Sequence, residues 1–192
     1  MRAGAPLLWR IHRTQGGHVS DWNQLRTFGP LPSMRYDPHP EPLEQYDEGV
    51  LYAAADHPGV PALVTAVAEV FQATRAIDVD SFAPQLTAWT PTRDLRLLDL
   101  TGDWALGNQA AHSLAHAPRS TCRAWARAIR ATWPDLDGLW APSTMSAGTV
   151  VVLWNPAHDS FPATPAFSRP LAHPLVRRVL AQIAADIGYG II

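Results

Sequence analysis

Lysine is absent from this 192-residue chain, whose 15 basic residues are all arginine. That excludes a lysine nucleophile or Schiff base. Only one cysteine is present, Cys122, so no internal disulfide can form and a reducing, cytoplasmic setting is expected. No apolar run approaches the roughly 20 residues of a membrane span, so no membrane partner is expected. The opening Met1-Arg2-Ala3-Gly4-Ala5-Pro6 leads into an apolar patch that Arg10, His12 and Arg13 end at once. A secretory leader is therefore not expected. Neither a Gly-x-Gly-x-x-Gly nor a Gly-x-x-x-x-Gly-Lys loop occurs, so a nucleotide would have to be held by side chains and helix ends. The net charge is −2 and no basic stripe is evident, which argues against direct nucleic-acid binding.

What is present describes one globular domain spanning 1–192. Hydrophobic residues make up 47% and charged residues 17%, a balance that can fill a core and does not fit disorder. Leu7 to His12 reads as a first strand. Residues 14 to 49 are broken by Pro30, Pro32, Pro38, Pro40 and Pro42, yet carry Trp22, Phe28, Met34 and Tyr36. They read as an ordered loop wrapped over the core. Val50 to Ala54 reads as a buried strand, and Pro61 to Arg75 as a helix with Pro61 in its first turn. Leu86 to Thr90 and Leu95 to Leu100 read as strands, Asp103 to His116 and Ser120 to Trp133 as helices. Thr149 to Trp154 is a β-branched strand, 155 to 170 a proline-rich connection, and His173 to Ile187 a closing helix. Strands and helices without regular alternation argue for an α+β fold.

Three separated polar sites stand in apolar surroundings: Arg35, Glu69 and Ser120. On a helical projection Leu63, Val67, Val70, Phe71 and Thr74 form the expected core face, and Glu69 points nearly opposite. Its neighbours there are Ala62, Thr65, Ala66 and Ala73, so Glu69 is almost the lone charge on a face of small residues. Either it is a surface glutamate or it faces a cleft. Arg35 reads as a loop arginine paired with Asp37 or Glu41, or as a planar fork for a phosphate. Arg10 interrupts an apolar strand and faces either water or a partner. Tyr52 reads as a core tyrosine or as a ring stacking on a flat ligand. Ser120 suits a helix N-cap, where free N–H groups favour a phosphate. Ser143 reads as a turn residue. His112 and His116 are four apart but lack a patterned third ligand, so no metal site is expected.

The order and flanks of these residues resemble the RES-domain family, named for its Arg, Glu and Ser. Leu8-Trp9-Arg10-Ile11 resembles the family's opening strand, and Met34-Arg35-Tyr36-Asp37-Pro38 its Gly-Gly-Arg-Trp-Asn-Pro segment. Leu51-Tyr52-Ala53-Ala54 resembles its strand tyrosine, and Ala68-Glu69-Val70 its helix glutamate. Ser120 with Gly138-Leu139-Trp140-Ala141-Pro142-Ser143 resembles its later stretch. Ser33-Met34 replaces the family's Gly-Gly, and Tyr36-Asp37 its Trp-Asn.

The resemblance implies an α+β fold similar to ADP-ribosyltransferases and an enzyme consuming NAD⁺ as substrate, with no further cofactor. It implies the toxin half of a toxin–antitoxin pair, restrained by an antitoxin that often carries a DNA-binding part. Glu69, Arg35 and Ser120 would then be catalytic, and Arg10, Tyr52, Tyr36 and Ser143 would bind substrate. Water, phosphate or a protein side chain could be the acceptor. A non-catalytic nucleotide-binding or interaction module on the same fold is the other class of reading.

Overall fold

A computed structural model describes residues 7–110 and 113–192. Met1 to Pro6 and His112 lie outside the described residues. The strands are β1 (Leu8–Arg13), β2 (Arg26–Gly29), β3 (Glu44–Ala55), β4 (Ala76–Ile77), β5 (Pro84–Trp89), β6 (Leu97–Asp99), β7 (Gly138–Pro142), β8 (Thr149–Trp154), β9 (Phe167–Pro170) and β10 (Gly190–Ile191). The α-helices are α1 (Ala62–Phe71), α2 (Trp104–Gly107), α3 (Arg119–Thr132) and α4 (Pro174–Ile187). Eight strands form one sheet in the order β6-β7-β8-β3-β1-β5-β9, with β2 on β3, while β10 and β4 pair apart from it. Only the β6–β7 pair in the large sheet is parallel. Mixed strand and helix in one unit is the α+β architecture expected.

Alternation along β1 assigns the two faces. Trp9 and Ile11 pack toward α1, over Ala62 and Ala66. Leu8 points the other way, into a core with Leu51, Ala53, Trp89 and Leu153. That second face is covered by the loop carrying Trp22 and Leu25 and by the 3₁₀ segment Asn155–Ser160. Trp22, Trp89 and Phe161 form an aromatic cluster there, with ring centroids 5.5 to 5.7 Å apart. On the helical face α3 covers Tyr36, Val50, Leu139 and Trp154, and α4 covers Phe71, Ile77 and Leu86.

Several elements differ from the sequence expectation. Asp103 to His116 is not one helix: α2 is a single turn, and Leu114–His116 is a 3₁₀ turn. The turn ends at Gly107, with Asn108 at its C-cap. The helix expected to reach Arg75 stops at Phe71, and Pro61 sits at its N-cap with extended backbone. Arg75 itself adopts a left-handed φ of 51°, which no helix continues through. Residues 14 to 49 do wrap over the core, but they also supply β2 and the polar first half of β3. The connection 155 to 170 contains β9, which extends the sheet beside β5.

Candidate active site

Glu69 lies on α1 beside the hairpin loop that joins β7 to β8. The small residues around it do not line an open cleft. Ala62, Thr65 and Ala66 are buried, the two alanines against Ala54 of β3 and Thr65 against Ser146 of the hairpin loop at 2.9 Å. Small side chains let helix, sheet and loop approach closely. Gly148 completes that approach, since a Cβ there would collide with the Thr65 hydroxyl. Val70, expected in the core, is 47% exposed, and Thr74 is exposed as well. The buried face is rotated toward Ala62 and Ala66 because the sheet, with bulky Trp9 and Ile11, lies on that side.

The loop holds the Glu69 carboxylate. Ser143 Oγ donates to Glu69 Oε1 at 2.6 Å and accepts from the Met145 and Ser146 N–H groups, each at 3.1 Å. The Thr144 main-chain N–H also approaches the carboxylate. Burial raises the Glu69 pKa above the ordinary carboxylate value, opposed by the Ser143 bond, by Arg35 and Arg119, and by the Thr144 N–H. Glu69 is therefore a half-buried carboxylate in a field of two arginines.

Arg35 is not paired with Asp37 or Glu41. Its Nη1 donates to the Ala117 carbonyl at 2.7 Å and lies 3.7 Å from Cys122 Sγ. This ties the loop of Arg35 to the start of α3. Tyr36 is buried, and its hydroxyl has no hydrogen-bond partner. Burial raises the Tyr36 pKa, and Cys122, Arg35 and Glu69 are the charged or titratable groups it senses. Tyr52, half-buried on β3, points its hydroxyl inward, where the Tyr36 main-chain N–H approaches it.

Ser120 is not the N-cap of α3. Pro118 occupies that position without a side-chain bond, and Ser120 is an exposed residue of the first turn. The uncapped end leaves main-chain N–H groups open beside Arg119. Arg119 was missed by sequence reasoning, and its only signal is adjacency to Ser120. Arg35, Tyr36, Tyr52, Glu69, Ser143 and the start of α3 are thus gathered around one region of the helical face.

Arg10 is not gathered there. It is directly opposite Thr87 on β5, on the sheet face turned away from α1. Its Nη1 donates to the carbonyls of Asp21 (3.3 Å), Trp22 (3.0 Å) and Gln24 (3.2 Å), and its Nη2 to Ser20 Oγ (3.2 Å). Burial lowers the Arg10 pKa to about 10. The guanidinium organises the loop that covers the second core. His12 beside it bonds Ser20 O at 2.9 Å and Thr87 Oγ1 at 3.1 Å. Among the described residues no cluster of three or more His, Cys, Asp or Glu is arranged to hold a metal. No helix among them is long and apolar enough to cross a membrane.

The family model described as RES domain matches residues 7–175. No curated protein matches the chain. Among solved structures the chain is similar to one described as the crystal structure of the M. tuberculosis MbcT–MbcA toxin–antitoxin complex. The TM-score is 0.57 and the identity 17%, over 94% of this chain and 91% of that one. At that identity the likeness concerns the fold.

Proposed function

Because the chain belongs to the RES-domain family, matched over residues 7–175, we propose that it is an NAD⁺-consuming toxin of a toxin–antitoxin pair. The reaction is cleavage of the nicotinamide–ribose bond. The cationic nicotinamide takes the bonding electron pair and leaves neutral, so no general acid is required. The ribose carbon becomes oxocarbenium-like, as in glycoside cleavage. Water then adds its oxygen to that carbon and loses a proton, giving ADP-ribose, or phosphate adds to give the 1-phosphate ester.

The observation that carries this reading is the Glu69 carboxylate, half-buried and bonded by Ser143 at 2.6 Å. A fixed anion in a low-dielectric setting stabilises positive charge developing on the ribose without reorganising. Arg35, Arg119 and the open end of α3 suit the pyrophosphate, and the Tyr36 and Tyr52 rings suit the nicotinamide side. Arg10 takes the supporting role of holding the Ser20–Gln24 loop. The partner is an antitoxin that covers this site, with a DNA-binding part in keeping with such pairs. The relation to ADP-ribosyltransferases belongs to the same reading.

The test is nicotinamide release from NAD⁺ by the purified, partner-free chain, with and without inorganic phosphate. Release that Glu69→Gln abolishes supports the enzyme, and phosphate dependence selects phosphorolysis. Undiminished turnover by well-folded Glu69→Gln would falsify the assignment. NAD⁺ binding without release, equally tight in wild type and Glu69→Gln, would replace it with the binding module.

A further inference from the structure

The stretch between Gly29 and Glu44 has no helix or strand of its own, yet it presents Arg35 and Tyr36 in fixed positions. Asp37 is what ties it down. Its side chain is fully buried, and an ionised carboxylate is tolerated there only when both oxygens are bonded. Oδ2 accepts from Arg26 Nη2 at 2.7 Å and from the Leu31 N–H at 2.9 Å. Oδ1 accepts from the His39 N–H at 3.1 Å and lies 2.5 Å from His39 Nδ1. His39 Nε2 in turn faces the Glu48 carbonyl at 2.8 Å. One carboxylate thus links β2, the turn at Leu31 and the first half of β3. Burial alone would raise its pKa, but the bonds from His39, Leu31 and Arg26 outweigh burial and hold it well below the carboxylate range.

We propose that Arg26, Asp37 and His39 form the positioning element of the site, with the charge of Asp37 setting where Arg35 and Tyr36 stand relative to Glu69. Shape alone would not suffice. An asparagine at 37 would direct an NH₂ group at donors that already point to that side chain, on either oxygen position. Tyr52 lies within the same electrostatic neighbourhood of Asp37 and Arg26, so the cluster underlies three residues of the site. Cys122 gives a native reporter. It is the only thiol, it is fully buried, and Arg35 lies 3.7 Å from it.

The experiment uses the full chain carrying Asp37→Asn, with Val176→Ala as a control. Val176 is a buried residue of α4 in a separate cluster from Tyr36, so its truncation lowers stability without touching the segment. The rate of Cys122 modification by a thiol reagent is measured for each protein at the same interval below its thermal midpoint. Loss of a buried charged hydrogen bond predicts modification about tenfold faster in Asp37→Asn than in wild type or Val176→Ala. On the proposed NAD⁺ reading, KM rises by about the same factor while kcat stays within about threefold, since Arg35 acts in binding. Wild-type thiol rates in folded Asp37→Asn, or equal acceleration in Val176→Ala, would overturn the proposal. So would a fall in kcat with KM unchanged. If Asp37→Asn does not fold, His39→Gln, which leaves the Arg26 pair intact, carries the same readings. If wild type releases no nicotinamide, the functional reading fails and the thiol rates alone decide the positioning role.

Discussion

The Ser143 hydroxyl and the Glu69 carboxylate, 74 positions apart, meet at 2.6 Å where the β7–β8 loop crosses α1. The bond depends on a chain of close approaches: Thr65 against Ser146, Gly148 against Thr65, and the Ser143 hydroxyl anchored by two main-chain N–H groups. Ser143→Ala removes the donor and leaves those two N–H groups without their acceptor. Loss of one preorganised donor is expected to lower kcat for nicotinamide release by about 10²-fold. The same change takes away the strongest influence that opposes burial at Glu69, so the Glu69 pKa moves further up. The acid limb of the pH–rate profile should then shift to higher pH. A profile that keeps its wild-type limb would separate Ser143 from Glu69.

Glu69→Gln should uncouple stability from activity. The folded-state pKa of Glu69 is raised chiefly by burial, so the folded protein binds this proton more tightly than the unfolded chain. The contribution of Glu69 to stability is present below its unfolded pKa and is lost as pH rises through the folded value. At neutral pH the wild type carries that penalty and the glutamine variant does not. Thermal midpoints should therefore favour Glu69→Gln at pH 7, and the advantage should disappear as pH falls below the ordinary carboxylate pKa. An enzyme that loses turnover while gaining stability fits a charge kept for chemistry. A lower midpoint for the variant at pH 7 would show that the Ser143 bond outweighs the burial.

The sequence made some of this visible for physical reasons. β8, Thr149–Trp154, is rich in β-branched residues and apolar after Thr149, and α3 and α4 carry helical apolar stripes, so these elements were legible. The first half of β3 reads Glu-Gln-Tyr-Asp-Glu-Gly, whose polarity hides a strand that pairs there with β2. β7 begins with a glycine and ends with a proline, and local propensity does not mark it as an inner strand. Glu69 stood out as a lone charge among small residues. The reason for those small residues was tight packing against Ala54 and the hairpin loop, which a helical projection cannot distinguish from an open cleft. Arg10 stood out for being charged in an apolar strand, but its partners are carbonyls of Asp21, Trp22 and Gln24, and main-chain acceptors leave no mark in side-chain pattern.

Arg10→Lys tests that structural role. Lysine keeps the charge, yet its single ammonium cannot span three carbonyls and the Ser20 hydroxyl as the planar fork does. Losing the fork's bonds to these exposed and half-buried carbonyls should cost about 1 kcal/mol, equivalent to roughly 2–4 °C in thermal midpoint for a chain of this size. Nicotinamide release by the folded variant at low temperature should stay near wild type, because Arg10 lies on the sheet face away from α1. A large rise in KM without thermal loss would instead return Arg10 to the substrate.

Arg119 offers the clearest electrostatic test, because it is exposed and influences Glu69 through space. It stands at the first turn of α3, where the helix has no side-chain cap and its dipole adds positive potential. Arg119→Ala should raise KM for NAD⁺ by about threefold to tenfold at low ionic strength, as one fewer cation meets the pyrophosphate. Solvent ions screen exposed charges beyond a Debye length of about 10 Å at 0.1 M salt, and that length shortens as salt is raised. The difference between wild type and variant should therefore shrink steadily as salt is raised, while the defect of Arg35→Ala, a half-buried group bonded to Ala117, should persist. Removing Arg119 also removes one of the charges that keep Glu69 ionised, so the acid limb should move up, by less than in Ser143→Ala. Equal salt dependence in Arg119→Ala and Arg35→Ala would mean that neither residue is distinguished by burial, and that the two act at one equally solvated position.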